Sequence, residues 1–179
     1  YKRQVPAFPS MRIALLSNPS SGRGRHAAAD DVARRILTDA GHEVLHVRGS
    51  SYEQARDAGR ALLGDEPHRN VEALVVVGGD GMVHLGVDIV ATTGVPLGIV
   101  ATGTGNDIAR HFGLPSRDAE ASARLINQAL SGKGSITAVD AIYASRPDGT
   151  LLAPQRRWSL AVVSAGVDAA VNARANTLS

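Results

Sequence analysis

Apolar residues along the 179-residue chain fall into short runs that alternate with longer segments where they recur every three or four positions. Such a change of period marks strands and helices in turn. Arg12 to Ser17 holds the run Ile13-Ala14-Leu15-Leu16 and then meets Asn18-Pro19-Ser20-Ser21-Gly22-Arg23-Gly24, a strand leading into a turn-rich loop. Ala29, Val32, Ala33, Ile36, Leu37 and Ala40 predict a helix with one buried face, closed by Gly41. Val44 to Val47 predict a second strand, and Ser50 with Glu53 has the spacing of a capping box for a helix carrying Ala55, Ala58 and Leu62. Ala73-Leu74-Val75-Val76-Val77 is apolar without alternation, as a central parallel strand covered on both faces must be.

That run ends in Gly78-Gly79-Asp80-Gly81, after which Val83, Val87 and Val90 predict a helix reaching Gly94. Pro96 to Val100 gives a fourth strand, followed by Ala101-Thr102-Gly103-Thr104-Gly105-Asn106-Asp107 and a short helix; Ala121, Leu125, Ala129 and Leu130 mark one more. Four β-α units predict an α/β, doubly wound fold with a mostly parallel sheet and flanking helices. The pattern changes at Ser131-Gly132-Lys133-Gly134. Ile136 to Ala144 and Trp158 to Ser164 read as two long strands joined by Arg146-Pro147-Asp148-Gly149, the start of an antiparallel β-sandwich lobe. We therefore expect residues 1–10 to be an extension ahead of Met11, residues 11–132 an α/β domain, and residues 133–179 the incomplete start of a β-rich second lobe.

Composition narrows the partners. Nineteen basic and seventeen acidic residues leave a formal charge of +2, which gives nucleic-acid binding little support. The chain has no cysteine, which excludes disulfides, thiolate zinc sites and thiol nucleophiles and permits a cytoplasmic setting. No apolar run approaches the ~18 residues of a membrane span, and the first ten residues lack the core of a signal peptide. A soluble protein is expected.

Ligands of open parallel sheets collect outside the carboxyl ends of the strands, where three glycine-rich loops are predicted to lie. Glycine lets a phosphate approach the backbone, and the helix start that follows offers unpaired N–H groups. Gly22-Arg23-Gly24-Arg25-His26-Ala27 fits the G-x-G-x-x-A pattern of NADP-binding folds, with Arg48 placed to meet a 2′-phosphate, although its loop is longer than that pattern usually has. Asp80 among glycines suits a Mg²⁺ ion held between carboxylate and phosphate, and equally suits an Asx-turn or helix cap. Thr104 and Asn106 can hydrogen-bond a nucleotide; Asp107 either joins Asp80 at a metal or serves as a helix N-terminal acid. No G-x-x-x-x-G-K-[ST] occurs, so a P-loop mechanism is unavailable.

Asn-Pro-x-Ser-Gly, Gly-Gly-Asp-Gly and Gly-Thr-Gly-Asn-Asp-x-Ala-Arg, in this order, resemble the diacylglycerol kinase catalytic family, which includes sphingosine and ceramide kinases and is related to NAD kinases. The resemblance is strong from Ile13 to Arg110 and extends weakly to Ser164-Ala165-Gly166-Val167-Asp168-Ala169. It implies an ATP- and Mg²⁺-dependent kinase that transfers the γ-phosphate to a lipid hydroxyl. Asn18, Ser21, Gly78, Gly79, Gly81, Thr104 and Asn106 would contact ATP; Asp80 and Asp107 would organise the metal, with Asp140 as a third acidic member of the network. The implied partner is a lipid met at a membrane surface by peripheral contact, on the cytoplasmic side of the inner membrane, and a homodimer is compatible with it.

Two departures stand out. Where the family usually has Thr and then Asn-Glu after Gly-Gly-Asp-Gly, this chain has Met82, His84 and Leu85, which removes a hydroxyl from the phosphate site. The family's catalytic base, a Glu in an acidic motif of the second lobe, does not occur before Ser179. The chain alone is therefore expected to bind Mg-nucleotide weakly and to transfer no phosphate. An NAD kinase-like enzyme, an NADP-binding oxidoreductase and a degenerate nucleotide-binding regulatory module remain as alternatives.

Overall fold

The computed structural model describes residues 10–17, 25–47, 49, 51–64, 70–145, 158–160 and 174. Four strands, β1 (Arg12–Ser17), β2 (Glu43–Val47), β3 (Ala73–Gly78) and β4 (Leu97–Ala101), form one sheet in the order β2-β1-β3-β4 with every pair parallel. Between and after them run α1 (Arg25–Asp39), α2 (Tyr52–Leu63), α3 (Asp80–Val90), α4 (Asp107–His111) and α5 (Ala119–Leu130). The expected α/β fold, with its parallel sheet and flanking helices, is present.

The unbroken apolar runs are explained by what covers the sheet. Successive side chains of a strand point to opposite faces. Ala14, Leu16, Leu74, Val76, Ile99 and Ala101 fall in a core shared with α2, α3 and α4. Ile13, Leu15, Ala73, Val75, Val77 and Val100 fall in a second core with α1 and α5. Both faces are thus dry, and all six residues of β3 are buried. Helix α2 is pinned to α3 by Arg60, which donates to the Asp88 carbonyl at 2.7 Å and lies 3.6 Å from its buried carboxylate.

Three expectations about local structure change. The cap of α2 is Ser51, whose hydroxyl accepts from the Gln54 N–H at 3.3 Å, so the capping pair is one residue later than Ser50 and Glu53. Helix α3 stops at Val90, short of Gly94, because the Thr93 hydroxyl and N–H both donate to the Val90 carbonyl and divert it from the helix. The long strand expected over Ile136 to Ala144 is reduced to β5 (Ile142–Tyr143), which pairs antiparallel with β6 (Trp158–Ser159). A strand needs a neighbour for its ladder, and β6 is the neighbour found among the described residues; residues 135–141 are irregular, with Ile136 and Val139 exposed.

Asn18, Ser21 and the rest of the loop after β1, Arg48, Ser50, the turn at 146–149 and the 164–169 segment lie outside the described residues. Among the described residues no helix is long and apolar enough to cross a membrane.

Candidate functional site

The sheet order sends the chain from β1 outward to β2 and then back past β1 to β3, so the topological switch point lies at the carboxyl ends of β1 and β3. That is where an open α/β sheet presents a crevice. On the β3 side the switch point is bordered by Gly78-Gly79-Asp80, and next to it by the loop after β4.

The two loops are locked together through their backbones. The Thr102 N–H donates to the Gly78 carbonyl at 2.9 Å, continuing the β3–β4 ladder past the end of β4. A Cβ placed on Gly103 would sit 2.5 Å from the Cα of Gly79 and 2.9 Å from Oδ1 of Asn106, so Gly103 has no room for a side chain, and one on Gly79 would press on the Gly103 Cα at 3.2 Å. Gly79 then caps α3 in an extended conformation, and its carbonyl accepts from the N–H groups of Met82 and Val83.

Asn106 turns the second loop. Its backbone is left-handed, φ 55° and ψ 39°, a conformation asparagine tolerates better than most residues. Its side chain is buried at 2% exposure, and Nδ2 donates to the Gly103 carbonyl and to the Ser116 hydroxyl, both at 2.9 Å. Oδ1 is buried with no hydrogen-bond partner among the described residues. Asn106 thus braces the loop from inside, and Thr104 is its exposed side chain.

Asp80 reaches across this junction. Its Oδ2 accepts from the Asp107 N–H at 3.3 Å and its Oδ1 from the Ile108 N–H at 3.1 Å. The side chain of Asn106, the N-cap of α4, makes no capping bond of its own, so the carboxylate of α3 caps α4 from another element. Asp107 is exposed and forms an ion pair with Arg110, which also donates to the Gly105 carbonyl. Both carboxylates stand beside Gly105: a Cβ there would be 3.2 Å from Oδ2 of Asp80 and 3.4 Å from Oδ2 of Asp107.

Gly78, Gly79, Asp80, Thr104, Asn106 and Asp107 are therefore gathered at one sheet edge, and Gly81 lies exposed in the first turn of α3. Asp140 is not in a strand; it is exposed in the irregular stretch before β5, and none of the described hydrogen bonds or ion pairs ties it to Asp80 or Asp107. Among the described residues no three acidic or histidine side chains form a metal cage.

The structure also explains the residues that depart from the family pattern. Met82 packs over Gly78, where a Cβ would collide with its side chain, and Leu85 is buried in the core. His84 bonds the Asp80 carbonyl through Nδ1 at 2.8 Å and the Ser159 hydroxyl through Nε2 at 3.2 Å. Sequence reasoning passed over Ser116, Arg117 and Ser159, because the pattern around them carries no motif and their partners lie 10 to 75 residues away.

Residues 12–141 match the family model described as the diacylglycerol kinase catalytic domain. Two curated relatives, each named diacylglycerol kinase, from Mycobacterium tuberculosis strains CDC 1551 / Oshkosh and ATCC 25618 / H37Rv, are 32% identical over 167 residues, which is 93% of this chain and 50% of theirs. The chain thus spans about half the length of the curated relatives it matches. A solved diacylglycerol kinase of Bacillus anthracis str. Sterne shares the fold, with 24% identity, a TM-score of 0.52, and coverage of 66% of this chain and 40% of that one. A second solved structure from the same organism gives 26% identity and a TM-score of 0.50 over 66% of this chain and 39% of its own. With the family model covering both glycine loops, both carboxylates and the sheet that presents them, the chain belongs to the diacylglycerol kinase catalytic domain family.

Proposed function

We propose that the protein containing this chain is a lipid kinase that uses Mg-ATP to phosphorylate the hydroxyl of diacylglycerol or a related lipid. The observation that carries the reading is the meeting of two side-chain-free backbone segments, at Gly79 and Gly103, with the carboxylates of Asp80 and Asp107 at the switch point of the sheet. The residues fit the reagents: Gly81 has open space where a side chain would stand, so the first turn of α3 is accessible to phosphate oxygens, and the two carboxylates beside Gly105 offer hard oxygen donors. Because no cage of three side chains is present among the described residues, Mg²⁺ would be held by Asp80 or Asp107 together with water and phosphate, which is how this ion is usually bound. Its chemistry there is neutralisation of charge on the phosphates.

The chain's own contribution is positioning. Asp80 is held by two backbone N–H groups, so its remaining lone pairs have a fixed direction. Asp107 is oriented by Arg110. In the transfer, the lipid oxygen bonds to the γ-phosphorus, the bond from that phosphorus to the bridging oxygen of ADP breaks, and the hydroxyl proton passes to a base. The lipid would be met by peripheral contact with a membrane, from the cytoplasmic side, by a monomer or a homodimer.

The test is phosphate transfer from Mg-ATP to a panel of lipids and to NAD by the full-length protein, with Asp80→Asn beside it. Transfer to a lipid that is lost in the variant supports the reading and names the acceptor. Transfer to NAD alone, or to nothing, overturns it.

A further inference from the structure

We infer that Arg117, with Ser116 beside it, is a positioning residue that orients the peptide between Thr104 and Gly105 for a phosphate oxygen; this rests on the nucleotide reading above. The starting observation is a backbone outlier. Arg117 has φ +61°, in the left-handed region where a side chain with a Cβ is disfavoured. It is neither glycine nor asparagine, and strain of this kind is kept where the surroundings hold it for a purpose.

What holds it is a two-sided grip on the loop. The Arg117 N–H donates to the Ala101 carbonyl at 2.8 Å, and Ser116 bridges Ala101 in parallel, so the pair extends the edge of the sheet by one short step. From that platform Arg117 Nη2 donates to the Thr104 carbonyl at 2.8 Å. The Ser116 hydroxyl meanwhile accepts from the Asn106 side chain at 2.9 Å. The loop is held at Thr104 by a guanidinium and at Asn106 by a hydroxyl, and both anchors come from consecutive residues.

The consequence concerns Gly105. In a trans peptide the C=O and the following N–H point in opposite directions. With the Thr104 carbonyl turned to Arg117, the Gly105 N–H turns away from it, and none of the described hydrogen bonds uses that N–H. Gly105 is also the residue beside which the Asp80 and Asp107 carboxylates stand. A donor aimed by Arg117 next to two metal-capable carboxylates matches the chemistry of a metal-bound phosphate.

The experiment compares wild type, Arg117→Gly and Arg117→Lys of the full-length protein for thermal midpoint, direct Mg-ATP binding by equilibrium titration, and KM for Mg-ATP and for lipid. Glycine adopts φ +61° freely, so Arg117→Gly should melt no lower than wild type. Its Mg-ATP affinity should fall about three- to tenfold, the net worth of one ordinary hydrogen bond from the Gly105 N–H, with the lipid KM unchanged. Arg117→Lys, which keeps a cationic donor, should recover much of the loss. If wild type binds Mg-ATP and Arg117→Gly binds it equally well, or loses affinity only in step with a lowered midpoint, the positioning role is wrong and the nucleotide reading stands. If wild type binds no Mg-ATP, the nucleotide reading falls and this inference with it.

Discussion

A methyl group on Gly103 would have to share space with the Cα of Gly79 and with Oδ1 of Asn106, and neither is the free end of a flexible side chain. Gly103→Ala should therefore cost about 1–3 kcal/mol of stability, as overpacking does in a closed interior, read by chemical denaturation. Gly81 has open space at the corresponding point, so Gly81→Ala should be neutral or stabilise α3 by up to about 1 kcal/mol. If Gly81 nevertheless lets phosphate approach, as the family resemblance implies, the same variant will hold its stability and bind Mg-ATP more weakly. Asn106 separates charge from shape. Asn106→Asp keeps the size but sets a carboxylate against the Gly103 carbonyl in place of a donor, and about 3 kcal/mol of destabilisation is expected from the buried, unpaired charge.

At the scale of elements, α4 has only five residues and cannot hold itself together. Its cap is Asp80, so Asp80→Ala should cost about 1 kcal/mol of stability in addition to any loss of phosphate transfer. Asp80→Asn keeps one carbonyl oxygen and should lose less, which makes it the cleaner variant for activity. Helix α2 has an ordinary cap in Ser51. The Glu53 carboxyl beside it is held below its usual value, first by its own backbone N–H and then by the Ser51 hydroxyl. A carboxyl lowered by folding stabilises the fold above its unfolded pKa, and the contribution is lost as pH falls through the folded value. Ser51→Ala should move the Glu53 pKa upward toward 4.5 in an NMR titration and cost about 1 kcal/mol at neutral pH.

These elements also show how far the pattern of residues could be read. The runs at β1, β3 and β4 were legible because both faces are covered, and the glycine clusters because a loop at a strand end must bend there. The cap of α2 was displaced by one residue because Ser50 and Ser51 are adjacent and spacing alone does not choose between them. Asp80 had three readings, as metal ligand, turn former and cap. The structure realises the cap on a helix 27 residues further along, a relation no local window contains. The run from Ile136 to Ala144 suggested one long strand, but apolar content is not a ladder, and among the described residues a partner strand accompanies only Ile142–Tyr143.

For the molecule as a whole, the informative contact is the one that joins β6 to α3 and the core beneath it. Trp158 and Leu160 pack against the core formed with α3, Trp158 lies 4.9 Å from the Tyr143 ring, and the Ser159 hydroxyl meets His84. The direction of that last bond follows from its neighbour. The Asp80 carbonyl can only accept, so Nδ1 of His84 carries the hydrogen, and in a neutral imidazole Nε2 is left to accept from Ser159. His84 is then a strut between the backbone of the Asp80 turn and β6. If it couples the two, His84→Ala and Ser159→Ala should each destabilise the protein, and the double variant should fall short of their sum by about 0.5–1.5 kcal/mol. Nitrogen shifts of His84 in Ser159→Ala should still report the Nδ1–H tautomer, because its cause lies at Asp80. Full additivity would mean that β6 docks through Trp158 and Leu160 alone, and that movement of the small sheet leaves the Asp80 turn where it is.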